Sequence, residues 1–232
     1  MNVVWVTGAS RGIGKAMAQK LAKAGFAVAL TARNATALHQ LSDSIQQQGG
    51  NALVLPGDVS QPKVPLQIAE KILNSWKRID TLINNAGIGI FKSILSTDVQ
   101  EWDESLAVNT RSAFLCSKAV LPHMIENRAG KIINVISVAG QQPYPNCGAY
   151  CASKYAMLGF TDVLRNETRQ YGIQVTAFMP GATDTEIWGN ADLPRERMMT
   201  PEQVATQAVH LCKADANIMI EQVVMRPQGG DL

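Results

Sequence analysis

The chain has 232 residues, 46% of them hydrophobic and 17% charged, with a formal net charge of +2. That apolar content supports a packed core and excludes a disordered polymer, while the mild and scattered positive charge excludes a nucleic-acid surface. No apolar run nears the ~20 residues that cross a bilayer, and the opening VVWVTGAS lacks a signal-peptide pattern, so the expectation is a single-domain, soluble, cytoplasmic protein with no membrane partner.

Short β-branched or apolar runs recur along the chain, at 3–7 (VVWVT), 27–31 (AVALT), 51–56 (NALVLP), 80–84 (DTLIN), 131–137 (KIINVIS), 173–179 (IQVTAFM) and 218–225 (IMIEQVVM). Between them lie segments with helical spacing, at 15–23, 37–47, 65–76, 98–124, 150–169 and 201–211. Strands apolar on both faces and separated by helices imply repeated βαβ units, with right-handed crossovers covering both sides of a parallel sheet. The pattern predicts one doubly wound α/β domain, a Rossmann fold with a mainly parallel seven-stranded sheet, and a loop over 183–200 that can serve as a lid.

The four cysteines include no C-x-x-C pair, since Cys147 and Cys151 stand four apart. They read as reduced thiols in packing roles. His39, His123 and His210 lack ligand spacing, so no metal is expected.

Three glycines, Gly8, Gly12 and Gly14, fall between the first strand and the first helix in VTGASRGIGK. A glycine-rich strand-to-helix turn cradles phosphate with backbone N–H groups. A nucleoside-triphosphate loop would need a glycine where Ala9 stands and a hydroxyl where Ala16 stands. The spacing G-x3-G-x-G instead suits a dinucleotide pyrophosphate, although such a turn alone can also serve tight packing.

TGASRGIG, Asp58-Val59, NNAG at 84–87, Asn109, Ser137, YCASK at 150–154 and PGATDT at 180–185 occur in an order and spacing that resemble the short-chain dehydrogenase/reductase family across essentially the whole chain. The nearest pattern is that of bacterial 3-oxoacyl-acyl-carrier-protein reductases and related NADPH carbonyl reductases. The resemblance implies that Gly8, Ser10, Arg11, Gly12, Ile13 and Gly14 hold the pyrophosphate side of the cofactor and that Asp58 and Val59 flank the adenine. It also implies that Asn84, Asn85, Ala86 and Gly87 line the adenosine side and that Pro180, Gly181, Thr183 and Thr185 close around the nicotinamide.

An NAD site places an acidic side chain roughly 20 residues on, at the end of the second strand. This chain has Ala32-Arg33 there, and Arg33 can pair with a 2′-phosphate through its planar fork, with Arg11 as a second cation. The only nearby carboxylate, Asp43, falls inside the next helix. NADP(H) is therefore the expected cofactor.

Reducing a carbonyl by hydride transfer needs an acid near its oxygen, and Tyr150 is the candidate. Lys154 follows at i+4, on the same helix face, where its charge can lower the tyrosine pKa and, by resemblance, its amine reaches the nicotinamide ribose. Ser137 ends a strand at the carboxyl edge of the sheet, where its hydroxyl can orient the carbonyl. Asn109 sits in a helical run it does not favour, and the resemblance gives it a water that relays protons to Lys154. A non-catalytic NADP-binding sensor is the alternative on the same fold, disfavoured because all four members of this set are present.

For the substrate, 138–149 and the lid residues Ile187, Trp188, Met198 and Met199 form an apolar lining that suits a 3-oxoacyl thioester or another hydrophobic ketone, with a sepiapterin-reductase-like carbonyl reductase as runner-up. The two methionines could equally pack the lid against the core. Acyl carrier protein is a possible partner by resemblance: Arg128 matches one basic docking position, but Tyr171 stands at the second. The resemblance also implies a homotetramer or homodimer that pairs the helices bearing Asn109 and Tyr150, with Ala113, Phe114, Met157 and Phe160 as candidate contacts.

Overall fold

The computed structural model describes residues 1–231. Seven strands, β1 (Val3–Thr7), β2 (Ala27–Thr31), β3 (Asn51–Val54), β4 (Thr81–Asn84), β5 (Gly130–Val135), β6 (Ile173–Pro180) and β7 (Gln222–Met225), form one sheet in the order β3-β2-β1-β4-β5-β6-β7. Every pairing is parallel, with β1 beside β2 in the register Val3–Ala27 to Thr7–Thr31 and beside β4 through Val4–Thr81. The chain winds outward in both directions from β1, so the strand order reverses between β1 and β4. A crevice opens there at the carboxyl ends of the strands.

Alternation along β1 builds two cores. Val4 and Val6 point to one face with Leu30, Ile133 and Phe178, where α1 (Gly12–Lys23), α2 (Ala35–Gln47) and α7 (Pro201–Lys213) cover them. Val3 and Trp5 point to the other with Leu82, Ile132 and Val175, under α3 (Val64–Trp76), α5 (Ser112–Glu126) and α6 (Gly148–Thr168). Each fully buried Leu or Ile of this kind contributes roughly 1.5–3 kcal/mol. The indole N–H of Trp5, the largest buried side chain, donates to Thr31 Oγ1 at 2.9 Å, so its burial leaves no polar atom unpaired.

Three local differences from the sequence reading have physical causes. The 98–124 run is helical but divided: α4 (Val99–Leu106), opened by an Asp98–Glu101 capping box, passes into a π-helical turn at Ala107–Arg111 before α5. The wide turn is centred on Asn109, whose side chain bonds Ile88 and Ser153 outside the run as well as Ser105 within it. The last strand begins at Gln222 rather than at 218, because Gln174 and Thr176 side chains capture the carbonyls of Ile218 and Ile220. The first helix starts at Gly12, three residues earlier than its apolar spacing suggests. Among the described residues no helix is long and apolar enough to cross a membrane.

Candidate active site

A cavity of about 630 Å³ occupies the carboxyl edge of the sheet. At one end the β1–α1 turn forms its wall. Gly8 (φ +65°) and Gly12 (φ +52°) adopt the left-handed backbone that glycine tolerates, and a Cβ on Gly14 would stand 2.2 Å from the Gly8 carbonyl oxygen. No side chain caps α1, and its first turn carries no acidic residue, so its N–H groups and positive dipole end face the cavity through Gly12, Ile13 and Gly14. This cradle suits a pyrophosphate.

Gly8, Ser10, Arg11, Arg33, Asp58, Val59, Asn85, Ala86, Gly87, Pro180, Gly181, Thr183 and Thr185 all line the same cavity. Arg11 and Arg33 are exposed and form no ion pair among the described residues. Burial alone would raise the Asp58 carboxyl, but hydrogen bonds from the Ser60 hydroxyl (2.7 Å) and amide (3.0 Å), helped by Gln61 and Arg33, hold it below its ordinary pKa. Asp43 lies exposed within α2, away from this surface.

Asn84 departs from the expected lining. Asn84 is buried and does not line the cavity; its amide nitrogen donates to Asn134 Oδ1 in β5 at 2.8 Å and to Ser117 Oγ in α5 at 3.2 Å. Asn85 does line it, yet its amide donates to the carbonyls of Thr7 and Gly8. Its role in the geometry is to tie β4 to the glycine turn.

Ser137, Tyr150 and Lys154 converge at the other end of the cavity. Ser137 follows β5, and its hydroxyl accepts the amide of Ala139 at 3.1 Å, which fixes the short turn at Val138–Gly140. Tyr150 and Lys154 share one face of α6, with the ammonium nitrogen 5.6 Å from the phenol ring centre. Lys154 Nζ donates to the Val135 carbonyl at 3.1 Å.

Burial sets the direction of both shifts in this pair. Desolvation raises the Tyr150 phenol to about 12, with the Ser137 hydroxyl offsetting part of the rise, and pushes Lys154 down to about 8. The phenol keeps its proton at neutral pH.

Asn109 is fully buried behind the cavity wall and does not line it. Its Oδ1 accepts the Ile88 amide at 2.8 Å, while Nδ2 donates to the Ile88 carbonyl at 3.0 Å and to Ser153 Oγ at 2.9 Å. Gly87 lies between it and the open space, where a Cβ would meet Asn109 Oδ1 at 3.2 Å and Lys154 Nζ at 3.7 Å.

Val138, Ala139, Tyr144, Pro145 and Cys147, with Ile187 and Trp188 from the lid, line the rest of the cavity. Met198 and Met199 do not. Both are buried, and Met199 packs into the core beside Val204 while its backbone bridges Thr183. The 183–200 segment carries short 3-10 turns at Glu186–Trp188 and Arg195–Arg197, and Arg195 pins it through Asp184 at 2.9 Å and the Thr185 carbonyl at 3.1 Å.

Sequence reasoning did not find Phe91, whose ring stacks on Trp188 (centroids 5.1 Å apart) and meets Tyr150 edge-on at 5.5 Å. Nor did it find Thr7, whose Oγ1 accepts the amides of Asn85 and Ala86, both at 3.0 Å. Its place in the TGASRGIG stretch was the available signal for Thr7; none pointed to Phe91.

Comparison with known proteins identifies the family and the fold. The family model for short chain dehydrogenase matches residues 2–196. A 3-oxoacyl-[acyl-carrier-protein] reductase of Synechocystis sp. is 34% identical, over 99% of this chain and 96% of its own, and a sepiapterin reductase of Chlorobaculum tepidum is 27% identical over 100% and 98%. Among solved structures, an alcohol dehydrogenase from the archaeon Thermococcus sibiricus complexed with 5-hydroxy-NADP superposes with a TM-score of 0.92 at 28% identity, covering 98% of this chain and 97% of that one. A metagenomic short-chain oxidoreductase in complex with NADP gives 0.87 at 33%, with the same coverage. The family model spans most of the chain and a relative 34% identical covers 99% of it, so the chain belongs to the short chain dehydrogenase family.

Proposed function

We propose that the protein is an NADPH-dependent oxidoreductase that reduces a carbonyl to an alcohol, with a 3-oxoacyl thioester as the first substrate to test. The observation that carries this reading is the convergence of Ser137, Tyr150 and Lys154 on one cavity, beside a glycine cradle flanked by Arg11 and Arg33, which form no ion pair among the described residues. Arg11 and Arg33 supply the charge that a 2′-phosphate needs, and no carboxylate occupies the end of β2 to repel it. The NADP named in two related structures supports the same choice.

When bound, the reduced nicotinamide supplies the hydride to the carbonyl carbon. Tyr150 gives its phenolic proton to the carbonyl oxygen as negative charge develops there, and Ser137 hydrogen-bonds that oxygen and fixes its approach. Burial suits Tyr150 to this direction, because a phenol pushed up to about 12 is protonated at neutral pH. Lys154 stabilises the phenolate left behind and returns a proton to it. Asn109 holds the wide helical turn and Gly87 in place around Lys154.

A reductase acting on some other neutral ketone is the second reading, favoured by the flat Phe91–Trp188 wall beside Tyr150. Arg128 gives a carrier protein little purchase at the mouth. It lies just before β5, at the opposite edge of the sheet, with its guanidinium on the Gln170 carbonyl. Assembly through α5 and α6 is part of the proposal, with amended contacts. Ala113 and Met157 are core residues, whereas Phe114 stays 45% exposed against Phe160, and Tyr155, Gly159 and Val163 leave one open stripe on α6.

The test is Tyr150→Phe. Removing the acid lowers kcat for NADPH-driven reduction by about 10²–10⁴-fold, while NADPH affinity changes less than about tenfold. A variant retaining a tenth or more of wild-type turnover contradicts the assignment.

A further inference from the structure

The carboxyl end of the chain folds back onto the substrate end of the cavity. After β7, a turn closed by the Gly230 amide on the Pro227 carbonyl (2.9 Å), with Gly230 at φ +87°, returns the chain so that Asp231 lines the cavity. Its two oxygens accept Arg226 Nη1 at 2.5 and 2.6 Å, and Oδ2 also accepts the Tyr144 hydroxyl at 2.6 Å. Arg226 Nη2 reaches Gln142 Oε1 at 3.4 Å. Tyr144 lines the cavity too; Arg226 does not.

Of the ion pair, the residue that borders the cavity is the acidic one, Asp231, and the basic one, Arg226, stands outside the lining. Arg226 offsets part of the Asp231 charge from there, and the apolar wall beside Asp231 adds no further cation. Phe91, Pro145, Ile187, Trp188 and Leu193 are uncharged, and among the described residues the cation beside Tyr150, Lys154, is held on the Val135 carbonyl. A carboxylate on an incoming substrate would leave water to face a fixed carboxylate in a partly desolvated space, where like charges repel strongly. A neutral ester, thioester or ketone meets no such penalty and can lie against the aromatic wall.

We propose that Asp231, clamped by Arg226 and bonded to Tyr144, is a specificity-determining residue that selects uncharged oxo compounds over free oxo acids. This rests on the reading of the cavity as a carbonyl-reducing site. Burial and the bond to Asp231 both raise the Tyr144 pKa, so its hydroxyl remains a donor to the carboxylate throughout the neutral range.

The experiment compares ethyl benzoylacetate with benzoylacetate, which share the reacting ketone and aromatic body and differ in charge. It reads kcat/KM with NADPH, and separately the Kd of each compound on the NADP⁺-loaded protein, where no turnover occurs. Wild type should favour the ester at least tenfold in both readouts, and Asp231→Asn should cut that preference at least fivefold. A chain ending at Gly230 should behave like Asp231→Asn. An ester-to-acid ratio near one in wild-type binding, or a ratio unmoved in both variants, overturns the proposal. If neither compound is reduced while the binding preference and its loss in the variants persist, the selectivity stands and the carbonyl-reductase reading fails.

Discussion

Lys154 is held at a cost to stability, and Lys154→Met should expose that cost. Burial depresses the amine from an ordinary 10.5 to about 8. At about 1.4 kcal/mol for each pH unit, keeping it charged inside the fold costs about 3 kcal/mol. Methionine retains an unbranched stem and loses the hydrogen bond from Nζ to the Val135 carbonyl, which offsets about 1 kcal/mol of the gain. The cofactor-free variant should therefore be more stable than wild type at pH 7 by about 2 kcal/mol, or about 4–8 °C in Tm for a domain of this size.

The sign of the pH dependence follows from proton counting. Below pH 8 the lysine is protonated in both folded and unfolded chains, and the full penalty is present. Between about 8 and 10.5 only the unfolded chain holds the proton, so wild-type stability gains on the variant as pH rises and the gap closes. Urea melts of both proteins at pH 7, 8.5 and 9.5 read this directly, alongside loss of reductase activity in the variant. A variant less stable than wild type at pH 7, or a gap constant across the series, would refute the reasoning.

Three further outcomes follow from the geometry. Gly14→Ala places a methyl 2.2 Å from the Gly8 oxygen and 2.4 Å from Asn85 Nδ2, so the urea midpoint should fall by the equivalent of about 1–3 kcal/mol and the NADPH Kd rise at least tenfold; an unchanged Kd, measured by NADPH fluorescence, contradicts the cradle. Arg33→Asp replaces the partner of the 2′-phosphate with the carboxylate of an NAD site, so the ratio of kcat/KM for NADPH over NADH should fall at least tenfold, and a constant ratio would remove Arg33 from cofactor recognition. Phe114→Glu puts a charge on the open α5 face, and sedimentation should show a smaller assembly than wild type; equal masses would place any interface elsewhere.

Local chemistry made much of this molecule legible from sequence. The glycine spacing has few uses between a strand and a helix, and an i, i+4 tyrosine and lysine must share a helix face. What sequence could not carry was side-chain placement decided by chain closure. Phe91 and Trp188 are 97 residues apart, and only the folding of the lid stacks them. Asp231 gains its meaning from Tyr144, 87 positions earlier. Asn109 looked out of place in a helix because it is a poor helix former, and the structure resolves this with a π-helical turn that frees its side chain to bond Ile88. Ala113 and Met157 were ambiguous between core and interface on periodicity alone, since both faces of α5 and α6 carry apolar residues.

The central claim, that the cavity couples NADPH to carbonyl reduction, is tested most directly by initial rates of absorbance loss at the reduced nicotinamide band with acetoacetyl-coenzyme A, run with NADPH and with NADH. The account predicts turnover with NADPH and at least tenfold lower kcat/KM with NADH. Equal use of the two cofactors would contradict the role given to Arg11 and Arg33, and absence of reduction with NADPH bound, for this thioester and for neutral ketones alike, would contradict the reductase itself.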